Sequence, residues 1–442
     1  MSFNFDRIDL LGGSISFSIV FFLMNCIFII HFLFDWYRNY KRNGMKFDYW
    51  RFFCVLNIFI PIMIMYPFAA SVFNFISTGK DIIYISNYVD EAYFISIFGY
   101  ISMLIGRYIC GNKYNLKLNI IETYIYTNLI NKKFYIMIYF FIIVSFLLVI
   151  ILSYLYPEYL LTLRLIRFDN PLIGALINII MSITHFSIIF LGLHLLESRE
   201  KHTKYIFFIT IILPILMGVR SVLIIPLITL VAIIFCYYNS KIKIWHYIIT
   251  SISTICMLIL LTLIRDGGSS GQNSNINILI FIGQILYGNT FSDLRDFSWV
   301  LTGFNDNYVL GKTYLSALFS YIPSGISDFR EVYKYGEVTN HFAGIVFDHH
   351  FGLRMTIFGE MYINFGYIGV FIISVFMGYL LQYTNNNFLV SIKEKRSLYF
   401  VYTKTIIFMI YSSLFFNSSS FYMIYMFILL NILGKIFIKI KY

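Results

Sequence analysis

Charge is scarce in this chain. Asp, Glu, Lys and Arg make up only 12% of its 442 residues, about half the share found in soluble domains. That excludes a soluble globular protein. Cysteine is also sparse. Cys26, Cys54, Cys110, Cys236 and Cys256 each lie in or beside an apolar run, and none forms a CxxC pair. Neither a disulfide framework nor a zinc site is indicated. No P-loop or Rossmann glycine pattern occurs, so no nucleotide site is expected. No internal repeat is visible, which argues against an inverted-repeat transporter. The first apolar run is not followed by a small-residue cleavage site and reads as a retained span.

Apolar residues fill the space that charge leaves. They are 59% of the chain, and the mean hydropathy is +0.76. Runs long enough to cross a bilayer recur along the sequence. Bounded by charge, they predict an all-α, polytopic membrane protein with about eleven spans. These fall near 14–34, 52–77, 93–110, 134–156, 171–196, 205–219, 221–239, 248–264, 355–383, 399–415 and 420–437. The layout is an eight-span membrane bundle over 1–264, a large loop over 265–354, and three further spans over 355–442.

Alternate connections are basic. The 35–51 loop carries Arg38, Lys41, Arg42, Lys46 and Arg51, and the loops near 111–133, 197–204, 240–247 and 384–398 follow suit, as does the tail from Lys435. The positive-inside rule makes this side cytoplasmic. The amino terminus is then outside, the carboxyl terminus inside, and the 265–354 loop outside. The net charge of +11 is thus a topology signal that favours anionic lipid and does not imply nucleic acid. Within the outer loop, "INILIFIGQILYG" (276–288) is too short to cross and reads as an interfacial or re-entrant helix.

Ionisable residues at membrane depth are functional candidates by default. Arg220 sits in "PILMGVRSVLIIP", in a turn between two spans flanked by Pro214 and Pro226. A guanidinium there suits a phosphate. Arg164 and Arg167 lie in the outer loop before 171, spaced to share a face if helical. Arg265 closes the eighth span. Arg295 and Arg330 read as solvated surface charges, and His185 and His194 as helix-packing histidines. "HHFGLRMTIFGEMYINFGYIG" (349–369) is different. It brings His349, His350, Arg354 and Glu360 to one helix entrance. Glu360 lies inside an apolar register and suits a general base. Glu360, Asn364 and Tyr367 are spaced to share a helix face. "DHH" (348–350) lacks metal-ligand spacing, so no metal is expected.

The Gly-x-Arg turn "GVR" (218–220), the late outer loop with "GKTYLSALFSYIPSGI" (311–326), and "GLRMTIFGEMYINFGYIG" (352–369) together resemble the O-antigen polymerases of the Wzy type. The resemblance covers most of the chain in layout and roughly 205–370 in motif. It is most specific from Gly359 to Gly366. It implies a glycosyltransferase with GT-C-like architecture in the bacterial inner membrane. Such an enzyme polymerises undecaprenyl-pyrophosphate-linked oligosaccharide repeat units at the periplasmic face. It needs no cofactor, and a chain-length regulator protein is an expected partner. The implied roles are Glu360 as base, with His349 or His350 in reserve, and Arg220, Arg265, Arg354, Arg164 and Arg167 on pyrophosphate. Trp299, Tyr314, Tyr321, Tyr362 and Asn364 would bind sugar. Two rivals share some of these features. An O-antigen ligase would use lipid A core as acceptor. A lipid-linked oligosaccharide flippase would show two related halves and charges deep in several spans.

Overall fold

The computed structural model describes residues 7–10, 15–44, 48–69, 88–159, 162–166, 170–198, 200–238, parts of 242–256, 291–322, 326–345, 352–416 and 421–439. An antiparallel hairpin, β1 (Arg7–Leu10) and β2 (Ile15–Ser18), pairs Arg7 with Ser18 and Leu10 with Ile15. Among the described residues, every regular element after it is helical. The helices are α1 (Ile19–Asn43), α2 (Tyr49–Cys54), α3 (Val89–Cys110), α4 (Ile120–Leu129), α5 (Lys132–Leu155), α6 (Pro171–Ser198), α7 (Lys201–Leu216) and α8 (Arg220–Tyr237). Then come α9 (Asp293–Leu301), α10 (Lys312–Leu318), α11 (Asp328–Tyr333), α12 (Tyr335–Ala343), α13 (Gly359–Lys393), α14 (Leu398–Phe416) and α15 (Tyr422–Lys439).

Among the described residues, six helices are long and apolar enough to cross a membrane: α1, α3, α5, α6, α13 and α15. This corrects the expected count of about eleven. The expected spans near 52–77 and 221–239 do contain apolar helix, at Tyr49–Ile64 and Ser221–Tyr237, but these pieces are too short to cross comfortably. α7 has only 16 residues. Most of 248–264, and the 276–288 segment, lie outside the described residues.

The chain divides into two compact units. The first comprises 1–115, 275–387 and 408–422. Here α2 continues into a π-helical stretch, Val55–Ile64, that contains Pro61. The carbonyl of Met63 would meet residue 67 in a regular helix, but Pro67 has no N–H. Asn25 Nδ2 donates to that carbonyl instead (2.8 Å), and Tyr93 Oη donates to Asn25 Oδ1 (2.9 Å). α9 packs on α3 and on the π-helical stretch, which seats the described part of the late loop in this unit.

α3 and α13 cross with their backbones touching. A Cβ at Gly106 would collide with the carbonyl oxygen of Val375, and one at Gly378 with that of Met103. Small residues permit such an approach. At its far end α13 is fastened by three successive asparagines. Asn385 Oδ1 accepts from Trp50 N–H (3.1 Å), and Asn387 Oδ1 accepts from Asn115 N–H (2.7 Å). Asn386 Nδ2 donates to the carbonyls of Gly111 and Lys113, both at 2.9 Å. Beside them, Arg51 is buried against Asp48 (2.6 Å) and Asp35 (2.7 Å), and Arg107 reaches the same Asp35 (2.8 Å).

The second unit comprises 116–274, 388–407 and 423–442. α6 is its spine, packed by α5, α7 and α8. Lys404, 4% exposed, is paired with Glu122 (2.9 Å) and donates to the carbonyl of Lys117 (2.8 Å). His194 stacks on Tyr135 with centroids 3.8 Å apart, and its Nδ1 is 2.9 Å from Tyr399 Oη. Its Nε2 lies 3.8 Å from Glu200 Oε2, and His194 is therefore a packing residue whose Nδ1 a tyrosine hydroxyl satisfies.

The crossing of α3 and α13 predicts that Gly378→Leu costs about 1–3 kcal/mol by overpacking. It should sharply lower the yield of monodisperse protein on size-exclusion chromatography. Phe376→Leu, at a half-exposed position on the same helix, should leave the yield unchanged.

Candidate active site

α13 begins at Gly359, and Glu360 occupies its first turn. Glu360 is 1% exposed. The hydroxyl of Thr313, on α10, donates to its Oε1 (2.7 Å). One turn on, Asn364 is fully buried. Its Nδ2 donates to Thr313 Oγ1 and to the Glu360 carbonyl, both at 2.8 Å. Its Oδ1 accepts from Gly311 N–H (2.9 Å). Because Asn364 donates into a lone pair of the Thr313 oxygen, the threonine proton points at the carboxylate. The amide is an internal bracket, and its three hydrogen bonds define that role.

The bracket exists because α13 is broken two residues later. Gly366 has φ 61° and ψ −157°, a conformation glycine adopts without steric penalty. The break leaves carbonyls of the preceding turn without helical partners. Two of them are claimed by the loop before α10: Val309 N–H donates to Ile363 O (2.9 Å) and Leu310 N–H to Asn364 O (3.1 Å). That loop is itself tightly turned, with positive φ at Asn305, Asp306, Leu310 and Gly311.

Two tyrosines also lie near Glu360. Burial raises the hydroxyls of Tyr314 and Tyr335 well above the usual phenol range, and the Glu360 carboxylate raises both further. Tyr335 Oη accepts from Met355 N–H (2.8 Å), which fixes the approach to α13. Tyr314 lies parallel to Phe365, centroids 6.1 Å apart.

Arg354 precedes α13 and turns toward the start of α9. Its Nη2 donates to Ser292 Oγ (3.4 Å) and its Nε is 3.7 Å from Asp293 Oδ1. Its side chain is 54% exposed, so it has room for a ligand. Ser292 donates to Asp296 Oδ2 (2.7 Å), whose other oxygen accepts from Arg295 (2.8 Å). Asp293 is lifted to about 6 chiefly by burial; Arg354 pulls it down, Asp296 raises it, and Arg295 lowers it again.

The remaining expected residues are dispersed. Trp299 is 5% exposed, and its indole N–H donates to the Ala343 carbonyl (3.1 Å), a core position between α9 and α12. Tyr362 is also buried, while Tyr321 is 63% exposed. In the second unit, Arg164 N–H donates to Met217 O (3.4 Å). This places the short turn Leu163–Leu165 beside the Gly218 turn from which α8 starts at Arg220. Arg167, Arg265, His349 and His350 lie outside the described residues. Thr313 and Tyr335 are absent from the sequence-derived set. Thr313 lies within "GKTYLSALF", but its contact with Glu360 spans 47 residues, which no local pattern reveals.

The family model for O-antigen polysaccharide polymerase Wzy matches residues 5–441 of this chain. No curated protein and no solved structure matches it.

The raised Asp293 carboxyl predicts a pH effect on the late loop. A carboxyl lifted in the folded state favours folding while protonated. Its contribution is complete below the ordinary aspartate range and is lost as pH rises through about 6. The effect is at most ~3 kcal/mol. Protection factors in α9, corrected for the intrinsic base-catalysed exchange rate, should therefore fall between pH 4.5 and 7, and Asp293→Asn should abolish that fall.

Proposed function

Because the chain belongs to the O-antigen polysaccharide polymerase Wzy family, it polymerises lipid-linked oligosaccharide repeat units, and we propose that Glu360 is the base of that reaction. The observation carrying this reading is a carboxylate buried at a helix mouth, with one oxygen fixed by Thr313. A buried carboxylate is costly unless hydrogen-bonded, and the Thr313–Asn364 bracket supplies that bonding at Oε1.

The reaction moves a growing chain from its lipid pyrophosphate to the non-reducing end of a new repeat unit. The bond from the anomeric carbon to the pyrophosphate oxygen breaks. A bond from that carbon to the acceptor oxygen forms. The acceptor proton passes to Glu360, and the pyrophosphate departs on its carrier with the electron pair. General-base help of this kind is worth about 10²–10⁴ in rate. The departing charge needs cations. Arg354, more than half-exposed near the α13 entrance, is one. Arg164 and Arg220, whose backbones lie at one end of the second unit, are assigned to a carrier phosphate. Tyr321 is the exposed aromatic best suited to a sugar face.

The protein spans the membrane. We read the 265–354 loop and the amino terminus as periplasmic and the carboxyl terminus as cytoplasmic, on the strength of the basic loops. The bundle is GT-C-like, the inner membrane is its location, and a chain-length regulator is its protein partner.

Surface lipopolysaccharide from a strain lacking only this gene should run as core bearing a single repeat unit. Complementation with wild type should restore the ladder, and Glu360→Gln should not. A full ladder from Glu360→Gln at normal protein level would remove Glu360 from the chemistry.

A further inference from the structure

Five cationic side chains stand between residues 291 and 354: Arg295, Lys312, Arg330, Lys334 and Arg354. Three have carboxylates. Arg295 pairs with Asp296 (2.8 Å), Lys334 with Glu337 (3.1 Å), and Arg354 more loosely with Asp293 (3.7 Å). Lys312 and Arg330 have no such partner among the described residues. Lys312 Nζ donates to Tyr333 Oη (3.0 Å) and sits 4.5 Å from the centre of the same ring. Arg330 is one turn before Tyr333 on α11 and so shares its face. Its guanidinium is partly buried, and burial draws it below the ordinary arginine range. The carboxylates of its own helix, Asp328 and Glu331, are exposed and do not pair with it.

Lys312 on the Tyr333 ring and Arg330 one turn before that ring are two cations, one partly desolvated and neither paired with a described carboxylate, and such a pair is costly unless an anion joins it. Their position identifies which anion. Lys312 directly precedes Thr313, the residue bonded to Glu360, and α10 packs on α11 and α12. Of the two pyrophosphates in the reaction, only the leaving one lies at the reacting carbon. The acceptor's is separated from its reacting hydroxyl by the length of a repeat unit. We propose that Lys312 and Arg330 form a site for phosphate oxygens and hold the departing pyrophosphate of the donor chain. This rests on Glu360 being the base. A planar guanidinium takes one phosphate through two parallel hydrogen bonds, and an ammonium on a flexible stem takes the other as a point charge. Anionic lipid headgroups offer the same phosphate chemistry, so the test must separate the two sources.

The probe is inorganic pyrophosphate, titrated against the full-length protein in detergent by calorimetry. Arg330→Gln and Lys312→Met should each weaken binding at least tenfold, and Arg330→Lys should recover part of the loss. Binding within twofold of wild type in both neutral variants overturns the site. Reconstitution separates the sources. In neutral phosphatidylcholine vesicles, each neutral variant should lower turnover of the lipid-linked repeat unit. Normal turnover there, with variant effects seen only in phosphatidylglycerol vesicles, would assign the site to headgroups and overturn its substrate role. Glu360→Gln should lose turnover yet bind pyrophosphate like wild type. If it keeps turnover, the reading of Glu360 fails, and the pyrophosphate titration still decides the cation pair.

Discussion

The Glu360 end of the first unit depends on a helix that stops being one for a single residue. An unbroken α13 would use the carbonyls of Ile363 and Asn364 within itself. The positive φ at Gly366 turns them out, and the backbone before α10 accepts that invitation. A loop bound there must run close to the first turn of α13, which delivers Thr313 to Glu360 from far away in sequence. The bracket of Thr313, Asn364 and Gly311 then costs little further ordering, because the backbone is already fixed. Without the break, Glu360 would be a carboxylate facing a loop with no reason to stay.

The far end of the same helix is secured by different means. There the bonds are amide contacts from Asn385, Asn386 and Asn387, beside a buried ion network of Arg51, Asp35, Asp48 and Arg107. Buried charge pairs contribute little net stability but punish any loss of one partner. Between the two ends, the contact at Gly106 and Gly378 sets how closely α3 and α13 approach. One helix thus ties the candidate base to the basic side through interactions that are local at each point.

Much of this was legible in the sequence, for reasons that can be named. Apolar runs give helices because the bilayer forces internal backbone bonding, and ten of the expected spans contain described helix. Counting them as crossings failed where the helix proved short, as in α7. Glu360 stood out because a carboxylate inside an apolar register has no bland purpose on a lipid face. Its bracket did not, because Thr313 and Asn364 meet only in three dimensions. Gly366 reads as a packing position in a span, and nothing local says that it breaks the helix. Trp299 reads as an exposed ring in a loop, but α12 covers it. Arg330 reads as a surface charge, since desolvation and the lack of a partner are properties of the fold.

The three asparagines carry one more consequence. Successive residues on a helix point about 100° apart and rise ~1.5 Å each, and these amides meet the start of α2 at Trp50 and the 111–115 segment after α3. Adding or removing one residue between Gly366 and Asn385 would swing all three away together. Exchanging a residue in that stretch disturbs at most its own neighbours. The interval therefore behaves as a gauge block. Over evolutionary time its spelling can drift except at contact positions such as Gly378, while its length is the inherited quantity.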